Sequence, residues 1–155
     1  MTILEKNLYE QGYELPHPAT PAANYVPYLI EDNYLYISGQ LPFINGERMH
    51  QGKLGETLSI EAGQEAARAC MLNVLAQMNT ALDSDMTRLK RCIRIGGFVN
   101  ASADFDQQAA VINGASDLLA TVLGEKGMHT RFAVGVASLP FGIAVELDAV
   151  FALHP

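Results

Sequence analysis

Apolar and polar positions divide the chain into stretches with a strand-like period of two and stretches with a helical period of three to four. Residues 25–42 hold two runs of aromatic and β-branched residues on either side of Glu31-Asp32-Asn33, which predicts a hairpin. Residues 43–58 contain three glycines and predict a loop with room for a short strand. Residues 1–16 predict a short helix that ends near Gly12, followed by an extended stretch rich in proline and alanine.

Two longer helices are predicted from apolar residues spaced three or four apart. The first follows Ser59, which can cap it, and extends to about Leu82. The second extends from about Asp104 to Leu123, where a glycine ends it. Residues 89–101, between the helices, predict a strand. The order strands, helix, strand, helix, strands predicts an α+β fold in which both helices pack on one face of a mixed sheet.

The end of the chain holds the charges that need explanation. Residues 127–153 predict two strands joined by a turn at Leu139-Pro140-Phe141-Gly142. If the turn is tight, the strands pair as a hairpin, and Arg131 lies on the same face as Glu146 and Asp148. The other face of this hairpin is more apolar, so we expect the helices to cover it and to leave the charged face open.

Charges on a sheet face require partners, because an unpaired charge in a buried strand costs several kcal/mol. Arg131 and Glu146 would lie about 13 Å apart in the hairpin, which is too far for an ion pair. Two interpretations stay open: each charge forms a salt bridge at a subunit interface, or a ligand site forms between two copies of the chain. Ala133 and Gly135 favour the ligand site, because they leave room beside a guanidinium that can bind a carboxylate with two N–H groups.

Composition indicates one globular domain, with 49% apolar and 17% charged residues. The net charge is −7 and the basic residues are scattered, which argues against a nucleic-acid partner. We expect no membrane partner, because no apolar run approaches the roughly 18 residues of a span and the N-terminal residues lack a signal-peptide pattern. The two cysteines form no disulfide framework, which favours a cytoplasmic location, and the four histidines lack metal-ligand spacing.

Four motifs occur in order along the chain: PAANYVPY, SGQLP, RFAVGVASLP and IAVELDAVFAL. In these motifs and their spacing the chain resembles the YjgF/RidA (Rid) family, also labelled endoribonuclease L-PSP. The resemblance implies a chorismate-mutase-like α+β fold that assembles as a homotrimer, with a barrel-like centre made by the sheets and a site in each cleft between subunits. It also implies that residues 1–155 are a single domain in which residues 1–16 are an N-terminal extension.

The activity that the resemblance implies is hydrolysis of reactive enamines and imines, such as 2-aminoacrylate, to 2-keto acids and ammonia, without a metal or organic cofactor. Arg131 matches the family arginine that binds the substrate carboxylate, and Glu146 matches the acid that positions the attacking water. Gly39 matches a glycine whose backbone lines the pocket, and Tyr28 matches, less closely, a tyrosine of the site. Ala133 stands where the family often has a cysteine, so backbone contacts can persist there but thiol chemistry cannot.

Other interpretations remain open at this point. The same cleft could bind a 2-keto acid or a similar metabolite without turning it over. An endoribonuclease is less favoured, since the chain is acidic and lacks a histidine pair and a basic groove. Ser116, on the second long helix, is expected to be solvated or capping, and His129 is expected to be a loop residue. The segment NASADFDQQAAVINGASDLL is longer than its family counterpart, which leaves the substrate range open.

Overall fold

The computed structural model describes residues 1–21 and 23–155, in which three helices pack on a five-stranded mixed sheet, as the α+β prediction requires. In chain order the elements are α1 (Ile3–Glu10), β1 (Tyr28–Glu31), β2 (Tyr34–Gln40), β3 (Phe43–Ile44), β4 (Glu47–Arg48), α2 (Ile60–Ala81), β5 (Leu89–Asn100), α3 (Gln108–Leu123), β6 (Thr130–Val136) and β7 (Val145–Leu153). Strands β3 and β4 form a separate small hairpin. None of the helices in these residues is long and apolar enough to cross a membrane.

The sheet has the strand order β1-β2-β7-β5-β6. Strands β5 and β6 run parallel, whereas the other neighbours are antiparallel. Parallel neighbours need a crossover connection, and α3 provides it between β5 and β6. The predicted β1–β2 hairpin is confirmed, since Asp32 and Asn33 form its turn with φ values of 49° and 62°, as a type I′ turn requires.

The predicted hairpin between the two closing strands is wrong. The turn itself exists, since the Gly142 N–H donates to the Leu139 carbonyl at 3.0 Å. However, β6 pairs with β5 at the edge of the sheet, and β7 enters the sheet on the other side of β5. The reason is the α3 crossover, which places β6 outside β5 and leaves the central position to β7. That position suits β7, which is apolar and buried along most of its length.

Side-chain hydrogen bonds cap the N-terminal ends of α1 and α2. Helix α2 begins after Ser59 as predicted, and Ser59 Oγ accepts a hydrogen bond from the Ala62 N–H at 3.1 Å. Helix α1 has a capping box in which Thr2 and Glu5 each accept from the backbone of the other. These local bonds explain why both helix starts are predictable from sequence.

Helix α3 begins at Gln108 and not near Asp104 as predicted. The preceding residues form a turn, in which Ser102 Oγ donates to Asp104 Oδ1 at 3.0 Å and the Phe105 N–H donates to the Ser102 carbonyl at 3.1 Å. The predicted end is confirmed, with Gly124 as the C-cap residue at a φ of 60°.

The core lies between the helices and one face of the sheet, and small residues let the helices approach each other. Where α2 and α3 cross, a Cβ added to Gly114 would lie 2.8 Å from the Cα of Gln64. The backbones of the two helices are therefore in near contact. Leu4 and Leu8 of α1 are buried in the same core.

Replacing Gly114 with Ala should destabilise the protein by about 1–3 kcal/mol, because the added methyl group forces α2 and α3 apart. This loss should occur although alanine is the better helix former. Urea unfolding measures it, with Asn113→Ala as the control, because Asn113 is the exposed neighbour in the same helix and its replacement should change stability by less than about 0.5 kcal/mol. A Gly114→Ala protein as stable as the wild type would show that the helices separate at no cost.

Candidate functional site

Pairing to β5 decides which face of the sheet each charged residue occupies. Arg131 of β6 lies opposite Ile95, and Glu146 of β7 lies opposite Phe98. Ile95 and Phe98 point to opposite faces because side chains alternate along a strand, and Ile95 is buried beneath the helices. Arg131 therefore faces the helices and Glu146 faces the other side. The predicted common face of Arg131 and Glu146 is wrong, because β5, and not the turn, sets the register between the two strands.

Helix α3 holds the guanidinium of Arg131. Its Nη1 donates to Ser116 Oγ at 3.0 Å, and its Nη2 donates to the Ala109 carbonyl at 3.2 Å. Ser116 Oγ lies 2.9 Å from His129 Nε2, and His129 Nδ1 lies 2.6 Å from the Gly127 carbonyl oxygen. Because a carbonyl only accepts, we assign the proton of a neutral His129 to Nδ1. Nε2 then accepts from the Ser116 hydroxyl, whose oxygen accepts from Arg131.

These bonds orient Arg131 and leave further N–H groups of its guanidinium available to an anion. Ser116 is therefore not simply a solvated or capping residue, as the sequence had suggested. His129 lies in the loop before β6 as expected, and its side chain in addition bonds Ser116. The sequence does carry a signal, since Ala109 and Ser116 are two helical turns apart on one face of α3. His129 precedes Arg131 by two residues, which is the strand period.

Glu146 lies against Gly39, where a β-bulge after Ile37 brings β2 close to the carboxyl group. A Cβ added to Gly39 would lie 3.1 Å from the Cδ of Glu146, so a larger residue would press on the carboxyl group. Glu146 is half-buried, and this burial raises its pKa above the ordinary value of a glutamate. The negative charge of Asp148 raises the pKa further.

No element of residues 1–21 and 23–155 covers the sheet face opposite the helices, and this face carries an apolar patch beside its charged residues. Asp148 lies on this face, with its Oδ2 3.6 Å from Arg94 Nη2. Its Oδ1 is buried and has no hydrogen-bond partner in the part of the chain that the structure describes. An apolar patch of this kind marks a contact surface. Its large side chains with 43–55% exposure include Leu29, Tyr34, Tyr36 and Val134.

A cavity of about 130 Å³ lies beside Gly39 at the end of β2. Gly39 lines this cavity and also lies against Glu146, although Glu146 is not itself part of the described wall. Apolar side chains supply most of its wall: Pro21, Tyr25, Pro27, Leu41, Phe43 and Phe141.

The two remaining predicted site residues, Tyr28 and Ala133, both pack against the core. Tyr28 begins β1, and Ala133 lies on the same face of β6 as Arg131. The tyrosine that lines the cavity is Tyr25. The roles of Tyr28 and Ala133 in ligand binding stay predictions.

One chain does not bring the predicted groups together. We call Gly39, Glu146 and the adjoining cavity the acid half of the site, and Arg131, Ser116 and His129 the arginine half. Strand β2, which carries Gly39, and strand β6, which carries Arg131, are three positions apart in the sheet, or about 14 Å. In addition, Glu146 and Arg131 occupy opposite faces of the sheet.

Neither cysteine is available for nucleophilic chemistry. Cys70 and Cys92 are buried and free, and burial raises the pKa of the Cys92 thiol to about 12. Burial, and then the charge of Glu146, raises the pKa of the Cys70 thiol well above its usual range. Among residues 1–21 and 23–155, no group of three or more His, Cys, Asp or Glu side chains is placed to hold a metal ion.

Comparison with known proteins gives matches over nearly the whole chain. Residues 5–152 match the profile of the family described as "YjgF/chorismate mutase-like, putative endoribonuclease". The chain is 49% identical to Protein TCP17 of Trypanosoma cruzi over 149 residues, which cover 96% of this chain and 92% of the relative. The solved structure of Atu1372, a protein of unknown function from Agrobacterium tumefaciens, has a TM-score of 0.92 and 45% identity over 98% of this chain and 93% of that chain. The structure of "a putative endoribonuclease" from Shewanella oneidensis MR-1 also has a TM-score of 0.92, with 32% identity over 97% and 99% of the two chains.

Replacing Glu146 with Gln should stabilise the protein at neutral pH and have a smaller effect in acid. In the unfolded chain the pKa of Glu146 returns to its ordinary value, so the native state binds more protons in the pH range between the ordinary and the raised value. Native stability therefore falls as the pH rises through this range, and the loss is complete above the raised pKa. The midpoint of thermal unfolding of Glu146→Gln should exceed that of the wild type at neutral pH and approach it below about pH 4.

Glu47→Gln controls for net charge, since it removes the same charge at an exposed position in β4. The assignment of a raised pKa to Glu146 would be contradicted if the difference in unfolding midpoint between Glu146→Gln and the wild type did not change with pH. It would also be contradicted if Glu47→Gln showed the same difference.

Proposed function

The chain belongs to the YjgF/RidA family, and we propose that it hydrolyses reactive enamines and imines, such as 2-aminoacrylate, to 2-keto acids and ammonia. The observation that carries the proposal is the pair of half-sites. One half presents an arginine oriented by hydrogen bonds, and the other presents a glutamate whose pKa is raised. The reaction requires both of these functions, since the substrate must be held by its carboxylate and a proton must be transferred during water addition.

In this proposal the arginine half of one copy faces the acid half of the next copy in a homotrimer. The opposite faces of Arg131 and Glu146 support it, because a single chain cannot direct both groups at one small molecule. The uncovered apolar sheet face supports it as well, since a second copy would remove that surface from water. A partner would also supply contacts near the buried Oδ1 of Asp148.

Arg131 binds and orients the substrate. Its planar guanidinium presents paired N–H groups that match a carboxylate, and the bonds to Ser116 and Ala109 limit its rotation. A substrate held by its carboxylate has its imine carbon at a defined distance from the binding group. Orientation of this kind lowers the entropic part of the barrier to water addition.

Glu146 moves the proton during water addition. The water oxygen bonds to the imine carbon, the π electron pair of the C=N bond moves to the protonated nitrogen, and the Glu146 carboxylate takes a proton from the water. Glu146 returns this proton to the nitrogen of the tetrahedral intermediate. The C–N bond then breaks, ammonia leaves, and loss of the hydroxyl proton gives the 2-keto acid. A raised pKa suits Glu146 to this work, because proton transfer is most efficient when the pKa is close to the working pH.

Two alternatives make different predictions. A protein that only senses a 2-keto acid would bind it in the same cleft and would hydrolyse no imine. An endoribonuclease would need to attract phosphate groups, and a net charge of −7 opposes this.

Arg131→Ala and Glu146→Gln should each remove most of the imine hydrolysis, whereas mixed trimers of the two variants should recover part of it. Loss of the guanidinium should lower kcat/KM about a hundredfold, and loss of the proton acceptor should lower kcat about a hundredfold or more. In randomly mixed trimers about a quarter of the clefts combine an intact arginine half with an intact acid half. The measurement is release of 2-keto acid and ammonia from 2-imino acids made in situ by an amino-acid oxidase.

Trimers of the Arg131→Ala/Glu146→Gln double variant are the matched control, because they contain neither intact half. Absence of recovery on mixing would contradict a site shared between copies. A wild-type protein that hydrolyses none of the imines overturns the proposed function. Loss of the trimer in Arg131→Ala would show that Arg131 is an interface charge.

Ser116→Ala should raise KM by about threefold to tenfold with a smaller effect on kcat, because it removes one hydrogen bond that orients Arg131. Thr121→Ala is the control on the same helix, since the Thr121 hydroxyl donates to the Asp117 carbonyl of its own helix. Equal KM values for the Ser116→Ala and wild-type proteins would show that Ser116 does not position Arg131.

A further inference from the structure

We infer that the cavity beside Gly39 is the side-chain pocket of the site, and that the protein prefers 2-imino acids with an aromatic ring or a branched apolar side chain over small ones. The inference rests on the proposed function and names its substrate class. The size of the cavity, the chemistry of its wall and the backbone conformation of Phe141 support this preference.

The size of the cavity matches one ring. Its volume is about 130 Å³, and an apolar protein cavity of roughly 150 Å³ is large enough to bind benzene. The methylene group of 2-aminoacrylate would leave most of this space unfilled. A phenyl or isobutyl group would fill it and would be removed from water by the apolar wall.

The side-chain NH2 groups of the two amide residues in the wall, Gln40 and Asn73, are already engaged. Gln40 Nε2 donates to the Ser38 carbonyl at 3.0 Å. Asn73 Nδ2 lies 2.9 Å from the Leu41 carbonyl oxygen and 2.6 Å from the Phe43 carbonyl oxygen. Both NH2 groups therefore support the backbone around the cavity and are not free to donate to a substituent of the ligand. The pocket selects by shape and apolar contact.

Phe141 forms one wall in a conformation that a bulky residue rarely adopts. Its φ is 60° and its ψ is 13°, in the left-handed region. Two hydrogen bonds from the loop before α2 hold the turn in this conformation. Gln51 Nε2 donates to the Phe141 carbonyl at 2.9 Å, and the Gly52 N–H donates to the Gly142 carbonyl at 2.8 Å. Phe141 is 50% exposed, so core packing does not require a phenylalanine here. Strain retained at an exposed aromatic residue is typical of a ligand-binding position.

A cation holds this aromatic wall in place. The ring centroids of Phe43 and Phe141 are 5.8 Å apart. The guanidinium carbon of Arg48 lies 4.8 Å from the Phe141 centroid and 5.7 Å from the Phe43 centroid. A wall fixed before binding loses little conformational entropy when a ring enters.

The cavity also lies where the chemistry needs a side-chain pocket. In a 2-imino acid the reactive carbon joins the carboxylate, the nitrogen and the side chain. With the carboxylate on Arg131 of one copy and the water at Glu146 of the next, the side chain extends past Gly39 and into the cavity, because Gly39 borders both Glu146 and the cavity.

The test is titration calorimetry of the intact protein with phenylpyruvate and with pyruvate, which are the keto-acid products of a large and a small substrate. The wild type should bind phenylpyruvate about tenfold or more tightly than pyruvate, as expected when an apolar pocket is filled. In Phe141→Asn this preference should fall towards equal binding. Asparagine tolerates the left-handed conformation, so the fold should persist, and circular dichroism checks this.

Tyr9→Asn is the matched control, because Tyr9 is an exposed aromatic residue on α1 outside the cavity and its replacement should leave the preference intact. Equal binding of the two keto acids by the wild type, or an undiminished preference in a folded Phe141→Asn protein, overturns the pocket assignment.

Imine hydrolysis by the wild type separates this failure from failure of the proposed function. If the protein hydrolyses alanine-derived and phenylalanine-derived imines with equal kcat/KM and binds the two keto acids equally, only the pocket assignment is contradicted. If the protein prefers phenylpyruvate but hydrolyses no imine, the pocket assignment is supported and the proposed hydrolytic function is contradicted.

Discussion

The hydrogen-bonded ladders on both sides of β5 are the constraint on which the rest of the structure depends. On one side β5 pairs with β7 in antiparallel register, and on the other it pairs with β6 in parallel. The parallel pair requires the α3 crossover, which lays α3 over the same face that carries Arg131. A direct β6–β7 hairpin would need no crossover there, and α3 would not lie across β6 to hold the guanidinium.

The end of β5 also organises the opposite part of the site. Asn100 is buried, and its Nδ2 donates to the Gly52 carbonyl at 3.2 Å and to the Ile143 carbonyl at 3.0 Å. Its Oδ1 accepts from Lys53 Nζ at 3.1 Å. These bonds join the loop before α2 to the segment before β7, and the turn that presents Phe141 lies at this junction. One strand thus supports the arginine half through β6 and the cavity wall through Asn100.

The chain holds its two principal charges by different means. Arg131 is fixed by donation to a hydroxyl and a carbonyl, so its direction is set before a ligand arrives. Glu146 forms no salt bridge or side-chain hydrogen bond within the described residues, and close packing against Gly39 confines it. Its carboxylate oxygens are therefore free to accept from a water or a substrate nitrogen, and half-burial raises its pKa towards the range where proton transfer is useful.

The sequence by itself determined the elements, their order and the family. Local chemistry carries this information: Asp32 and Asn33 form the β1–β2 turn, Ser59 caps α2, and Gly124 ends α3. The motifs around Gly39, Arg131 and Glu146 then identify the family and its fold.

Only the tertiary structure decided that β5 separates β6 from β7, that Arg131 and Glu146 face opposite ways, and that Tyr25 and Phe141 line the cavity beside Gly39. It also brought Ser116 and His129 to Arg131. The physical reason is that a strand's alternation fixes which residues share a face but not which neighbour the strand pairs with. That choice follows from the α3 crossover and from contacts between residues far apart in the chain, which no local pattern encodes.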